Sequence, residues 1–175
     1  MDMTHPLGAV TRHGDQLDVR FERHYPRPVT TVWSALTEPA RLADWMGVSE
    51  VEPRVGGRFD MMIGGPQPMT GRVRIWEPPA VLEFSWSNAD APESVVRYEL
   101  TPDEGGTRLV FTQKDILYSH AALMLPGWHT LFARLGKMLA ASEAPEPGWR
   151  ALQGIYIDHY QLRDVLRDVP ATPSA

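Results

Sequence analysis

The 175-residue chain contains no cysteine. That excludes a disulfide framework, thiolate metal sites and a cysteine nucleophile together. The chain is also short of positive charge, with 17 lysines and arginines against 22 aspartates and glutamates and a formal net charge of −5. Nucleic-acid backbones and anionic membrane surfaces are bound by basic faces, so neither is expected as a partner. No long apolar run is present. The longest stretch free of Asp, Glu, Lys and Arg, from Ile116 to Ala133, carries Ser119, His120, Pro126, Gly127, His129 and Thr130. It suits a buried helix better than a membrane span. The opening Met1-Asp2-Met3-Thr4-His5-Pro6 has no basic patch followed by an apolar segment. No export signal is read there, and a cytoplasmic location is expected.

What is present is apolar residues, 43% of the chain, and 16 prolines that punctuate it. The length suits one domain, placed at residues 7–168, with flexible termini at 1–6 and 170–175. Residues 17–25 alternate apolar and polar as a half-buried strand, and Gly8 to Arg12 are placed to pair with it across His13-Gly14-Asp15. The period then changes. Val29, Val32, Trp33 and Leu36 fall on one face of a short helix, and Pro39 opens a second with Leu42, Trp45 and Met46 inward. Strands are expected at Gly57 to Ile63, Gly71 to Trp76, Val81 to Trp86, Val95 to Leu100 and Thr107 to Gln113. Asp103-Glu104-Gly105-Gly106 is a hairpin signal. The acidic run around Asp90 to Glu93 reads as a loop. Trp128, Leu131, Phe132, Leu135, Met138 and Leu139 form an apolar stripe suited to lie on a sheet. After a linker at Ser142 to Gly148, a last helix is expected from Trp149 to about Asp168. The expected sum is an α+β fold in which one antiparallel meander packs on a C-terminal helix.

Several fragments then line up in order. Val29-Thr-Thr-Val-Trp-Ser-Ala-Leu-Thr-Glu-Pro39, Leu42-Ala-Asp-Trp45, Gly56-Gly57-Arg58-Phe59, Gly71-Arg72-Val73, Leu82-Glu-Phe-Ser-Trp86, Tyr98-Glu-Leu100, Gly105-Gly-Thr-Arg-Leu109 and Gly127-Trp128-His129 together resemble a known set. It is that of the START-like, birch-pollen-allergen-like helix-grip superfamily. Within that superfamily the chain is similar to the SRPBCC-type domain named for the activator of the heat-shock-protein-ninety ATPase. The resemblance covers Leu7 to Tyr160 and implies a sheet wrapped around the long C-terminal helix, with a hydrophobic cavity between them.

Period-two reading directs Val73, Ile75, Leu82, Phe84, Trp86, Val96, Tyr98, Leu100, Leu109, Phe111 and Gln113 toward that helix, joined by Phe59 and Met61. Trp128 and Phe132 face them. The expected ligand-binding residues are therefore Phe59, Met61, Phe84, Trp86, Tyr98, Phe111, Gln113, Trp128 and Phe132, around an apolar or aromatic small molecule. The alternative is that these residues only fill a core. Tyr98 and Gln113 are the scarce polar groups on that face, suited to fix a ligand or to bond backbone or water. His129 is read as a helix-flank histidine bonded to backbone, with general-base work as the competing role. No metal or cofactor is expected, because no HxH, HExxH or paired-carboxylate cluster is present. Gly64-Gly65-Pro66 lacks the spacing and lysine of a phosphate loop. Arg72 and Arg74 point away from the helix, onto the solvated face. No catalytic residue is assigned. The superfamily leaves two further functions open: an enzyme of polyketide-cyclase or hydrolase type using the same cavity, and a co-chaperone-like protein-interaction module. The last helix carries Ile155, Tyr156, Tyr160, Leu162, Val165 and Leu166, more apolar side chains than one docking face needs, which points to a homodimer.

Overall fold

The structure is a computed structural model that describes residues 6–139 and 148–168. The expectations for residues 1–5, for the linker at 142–147 and for 170–175 lie outside the described residues.

Alternation builds the first hairpin. Strand β1 (Ala9–His13) pairs antiparallel with β2 (Gln16–Tyr25). Along β2 the inward positions are Leu17, Val19, Phe21, Arg23 and Tyr25, all buried. The period then changes to that of helices α1 (Val29–Thr37) and α2 (Pro39–Trp45). Pro39 sits at the start of α2, where its missing N–H costs nothing. Trp33, Leu36, Leu42, Trp45 and Met46 are buried as expected.

Strands β3 (Val48–Val51), β4 (Phe59–Met62), β5 (Val73–Glu77), β6 (Val81–Asn88), β7 (Ala91–Asp103) and β8 (Gly106–Leu117) follow. The main sheet has six strands in the order β1-β2-β8-β7-β6-β5, each pair antiparallel. The single-sheet expectation needs correction. Strand β4 pairs with β3, a strand the sequence reading missed, in a separate two-stranded sheet. It is tied to the rest of the fold by the isolated bridges Arg58↔Arg72 and Met61↔Met69 and by backbone hydrogen bonds of Gly56 and Gly57 with Val73 of β5. Two smaller corrections follow. A bulge between Val73 and Ile75 reverses the alternation of β5, so that Ile75 stands opposite the outward Glu83 and Trp76 opposite the buried Leu82. Trp76 thereby meets Trp33 of α1 edge to face at 5.3 Å. Ala91 to Glu93 belong to β7 rather than to a loop. The β7–β8 turn is as expected, with Glu104 and Gly105 at φ 39° and 81° closing a two-residue hairpin.

Helix α3 (Ala121–Met138) lies on the inner face of the sheet. It begins seven residues before the expected stripe and contains Pro126, which cannot donate to the Ala122 carbonyl one turn back. Gln153 Nε2 of helix α4 (Trp149–Tyr160) donates to that carbonyl instead, at 3.1 Å. Helix α4 ends at Tyr160, earlier than expected, with Gln161 in the left-handed region at φ 55° and a 3₁₀ segment, Leu162–Asp168, beyond it. Of the apolar side chains from which a homodimer was expected, Tyr156, Leu162 and Val165 are buried within the chain, and Ile155 and Tyr160 are half-buried.

Tyr156 and Tyr160, stacked one turn apart, clasp the segment before β1. The Gly8 N–H donates to the Tyr156 hydroxyl at 2.9 Å, and the Tyr160 hydroxyl donates to the Gly8 carbonyl at 2.5 Å. Gly8 is required there, because a Cβ would stand 2.4 Å from the Phe21 ring.

Candidate functional site

All nine expected site residues are at most 3% exposed. The fold brings them together. On the sheet side Phe59 stacks on Phe84 at 3.9 Å, Phe84 lies 5.2 Å from Trp86 and 6.2 Å from Tyr98, and Tyr98 lies 5.2 Å from Phe111. From α3, Trp128 meets Phe111 at 4.3 Å and Trp86 at 6.2 Å, while Phe132 meets Phe111 at 5.1 Å. Met61 lies in the same buried cluster. Two walls of rings, one on the sheet and one on the helix, therefore pack directly on each other.

The polar groups divide. Gln113 is engaged on both sides: its Oε1 accepts from Trp128 Nε1 at 2.6 Å, and its Nε2 donates to Ser94 Oγ at 2.8 Å. Ser94 Oγ donates onward to the Trp86 carbonyl at 3.1 Å. This relay ties α3 to β8, β7 and β6 and fixes the Trp128 indole. The Tyr98 hydroxyl makes no hydrogen bond to a described residue, although the side chain is 2% exposed. Burial raises its pKa far above the ordinary tyrosine value, so it is a neutral donor at all physiological pH. His129 is buried, and its Nδ1 lies 2.8 Å from the Tyr156 hydroxyl. Burial raises the Tyr156 pKa to about 12, against the opposing effect of the Gly8 N–H.

One residue escaped the sequence reading. Arg23 is on the inner face of β2 and 6% exposed, and burial lowers its pKa. Its guanidinium lies 5.3 Å from the Phe21 ring centroid and 6.0 Å from that of Phe132. The signal was available, since Arg23 falls in the same alternation as Phe21 and Tyr25. Arg74 behaves as expected, exposed and paired with Glu93 at 2.8 Å. Among the described residues no three His, Asp or Glu side chains form a set that could hold a metal ion.

A cleft of about 530 Å³ opens between α2 and the C-terminal half of α3, lined by Trp45, Met46, Gly47, Arg134, Lys137 and Met138 among others. None of the nine residues lines it, but its Trp45 stacks with Phe132 at 6.5 Å. No described helix is long and apolar enough to cross a membrane.

The pattern of one protein family, Activator of Hsp90 ATPase homolog 1-like protein, matches residues 26–140. The chain belongs to that family. Solved structures agree with an Hsp90-activator-like SRPBCC fold. CalU16 from Micromonospora echinospora is 24% identical with a TM-score of 0.72, over 88% of this chain and 94% of that one. A protein from Rhodobacter sphaeroides is 28% identical with a TM-score of 0.64, over 78% and 99%. DynU16, a putative protein in the dynemicin biosynthetic locus, is 29% identical with a TM-score of 0.65, over 70% of this chain and 47% of that one. No curated protein matches.

Proposed function

We propose that this Hsp90-activator-like domain binds an apolar or aromatic small molecule between the sheet and α3. The carrying observation is the pair of facing ring walls, Phe84, Trp86, Tyr98 and Phe111 against Trp128 and Phe132, with the Tyr98 hydroxyl among them and unbonded to any described group. A ligand acceptor would give that hydroxyl a partner. Phe59 and Met61 close one side, and Gln113 holds Trp128 in place. The cleft at Trp45 and Met46 is the entrance this reading favours, because Trp45 is the ring between it and Phe132. The fold family commonly holds small hydrophobic ligands, and DynU16 is described from a biosynthetic locus, which suits a partner of natural-product type. The enzyme reading has less support, since Gln113 and His129 are already engaged within the protein.

The test is the Tyr98→Phe variant, titrated with an apolar aromatic compound carrying one acceptor, such as 2-naphthamide. Affinity should fall by roughly 1–3 kcal/mol, with the melting temperature of the ligand-free protein nearly unchanged. Unchanged affinity with a lower melting temperature would remove Tyr98 from the site.

A further inference from the structure

Arg23 carries an inference about which ligands the interior takes. Its Nη1 donates to the Glu22 carbonyl at 2.8 Å, whereas Nε and Nη2 have no hydrogen-bond partner among the described residues. In a guanidinium the Nε–H and the neighbouring Nη2–H point in parallel, and that edge is the fork that accepts two carboxylate oxygens side on. The nitrogen already used is thus the one outside the fork, and the fork is open. Burying a guanidinium without an anion is strongly unfavourable. The obvious carboxylate cannot supply the anion: Glu22, next in sequence, points to the opposite face of the sheet and is held there by Arg108 and by Arg20 at 2.8 Å. The surroundings are aromatic. Phe132, 6.0 Å from the guanidinium, lies 5.1 Å from Phe111 and 5.7 Å from Trp128.

We infer that Arg23 receives the carboxylate of an aromatic acid whose ring body lies against Phe132, Phe111 and Trp128. The inference rests on the ligand-binding reading above and narrows it: aromatic acids are preferred over their neutral counterparts.

The experiment is calorimetric titration of the full chain with 2-naphthoate and with 2-naphthamide, which share a ring body and differ in charge. The wild type should bind the acid at least about tenfold more tightly than the amide, the effect of one charge-assisted fork. Arg23→Met should bind the two equally, with amide affinity within about twofold of wild type, and should melt no lower than wild type because it removes an unpaired buried charge. Arg23→Lys should keep part of the acid preference, since charge remains but the fork is lost. In a ¹⁵N spectrum the Arg23 Nε–H signal should move with the acid and stay with the amide. Equal binding of acid and amide by wild type would overturn the role of Arg23 and leave the ligand-binding reading standing. Binding of neither would overturn both. An acid preference that survives in Arg23→Met would place the anion elsewhere and also overturn it.

Discussion

Tyr156→Phe isolates the clasp between α4 and the start of the chain. The substitution keeps the ring, which is 0% exposed and stacked on Tyr160, and removes only the hydroxyl. That hydroxyl accepts from the Gly8 N–H at 2.9 Å and bonds His129 Nδ1 at 2.8 Å. Two buried polar groups lose their partner at once. An unsatisfied buried group costs about 1–3 kcal/mol, and partial relaxation keeps the sum below the simple total, so a loss of about 2–4 kcal/mol is expected. For a domain of this size that lowers the melting temperature by roughly 4–12 °C. The assay is urea and thermal unfolding followed by far-UV circular dichroism, with Tyr160→Phe as the comparison. Tyr160 makes one hydrogen bond from a half-buried position, and its variant should lose about 1 kcal/mol. The pH dependence carries a second signature. Burial lifts the Tyr156 pKa from 10.0 to about 12, so the folded state holds this proton more tightly than the unfolded one. The resulting stability is present in full below pH 10 and is lost as the pH rises toward 12. Tyr156→Phe should show a shallower alkaline slope in that window. A loss under about 0.5 kcal/mol with an unchanged alkaline slope would refute the clasp.

Trp33→Ala should cost roughly 3–5 kcal/mol in denaturant melts, because it vacates a site 9% exposed and strips Trp76 of its edge-to-face partner; a loss below about 1 kcal/mol would contradict that packing. Glu22 is held by Arg108 and Arg20 with its pKa lowered from 4.5 to about 2. Its contribution is therefore present above pH 4.5 and lost as the pH falls toward 2. Solvent screening limits it to a few tenths of a kcal/mol, so Glu22→Gln should lower stability by that small amount at neutral pH and flatten the acid limb, the two proteins converging as the pH falls toward 2.

Much of the fold was legible because period two and period 3.6 are written plainly in this chain. The alternation Leu82, Phe84, Trp86 and the stripe Trp128, Phe132, Leu135 each mark one buried face, and both faces meet in the structure. What was not legible follows from features that leave no period. Strand β3 has four residues, half-buried at Ser49 and Val51 and exposed at Val48 and Glu50, too short for alternation to register. The bulge in β5 moves Trp76 inward without any change in residue type. Helix α3 runs through Pro126, and Gln153, 31 positions after Ala122, supplies the Ala122 carbonyl with the bond Pro126 denies it, a compensation local sequence cannot show. Glu93 reads as a loop residue until Arg74 is placed beside it. Arg23 is the instructive case among the site residues. Its position in the alternation pointed inward while its charge pointed outward, and the structure follows the alternation.

The central claim is that a ligand enters between the two ring walls. Titration with 2-naphthamide, followed through the indole N–H signals of the six tryptophans, tests it most directly. Trp86 and Trp128 line the proposed site, whereas Trp149 stands at the start of α4, 38% exposed. The Trp86 and Trp128 signals should move with saturation and the Trp149 signal should not. Saturable shifts confined to Trp149, or no saturable shift at Trp86 and Trp128, would contradict it.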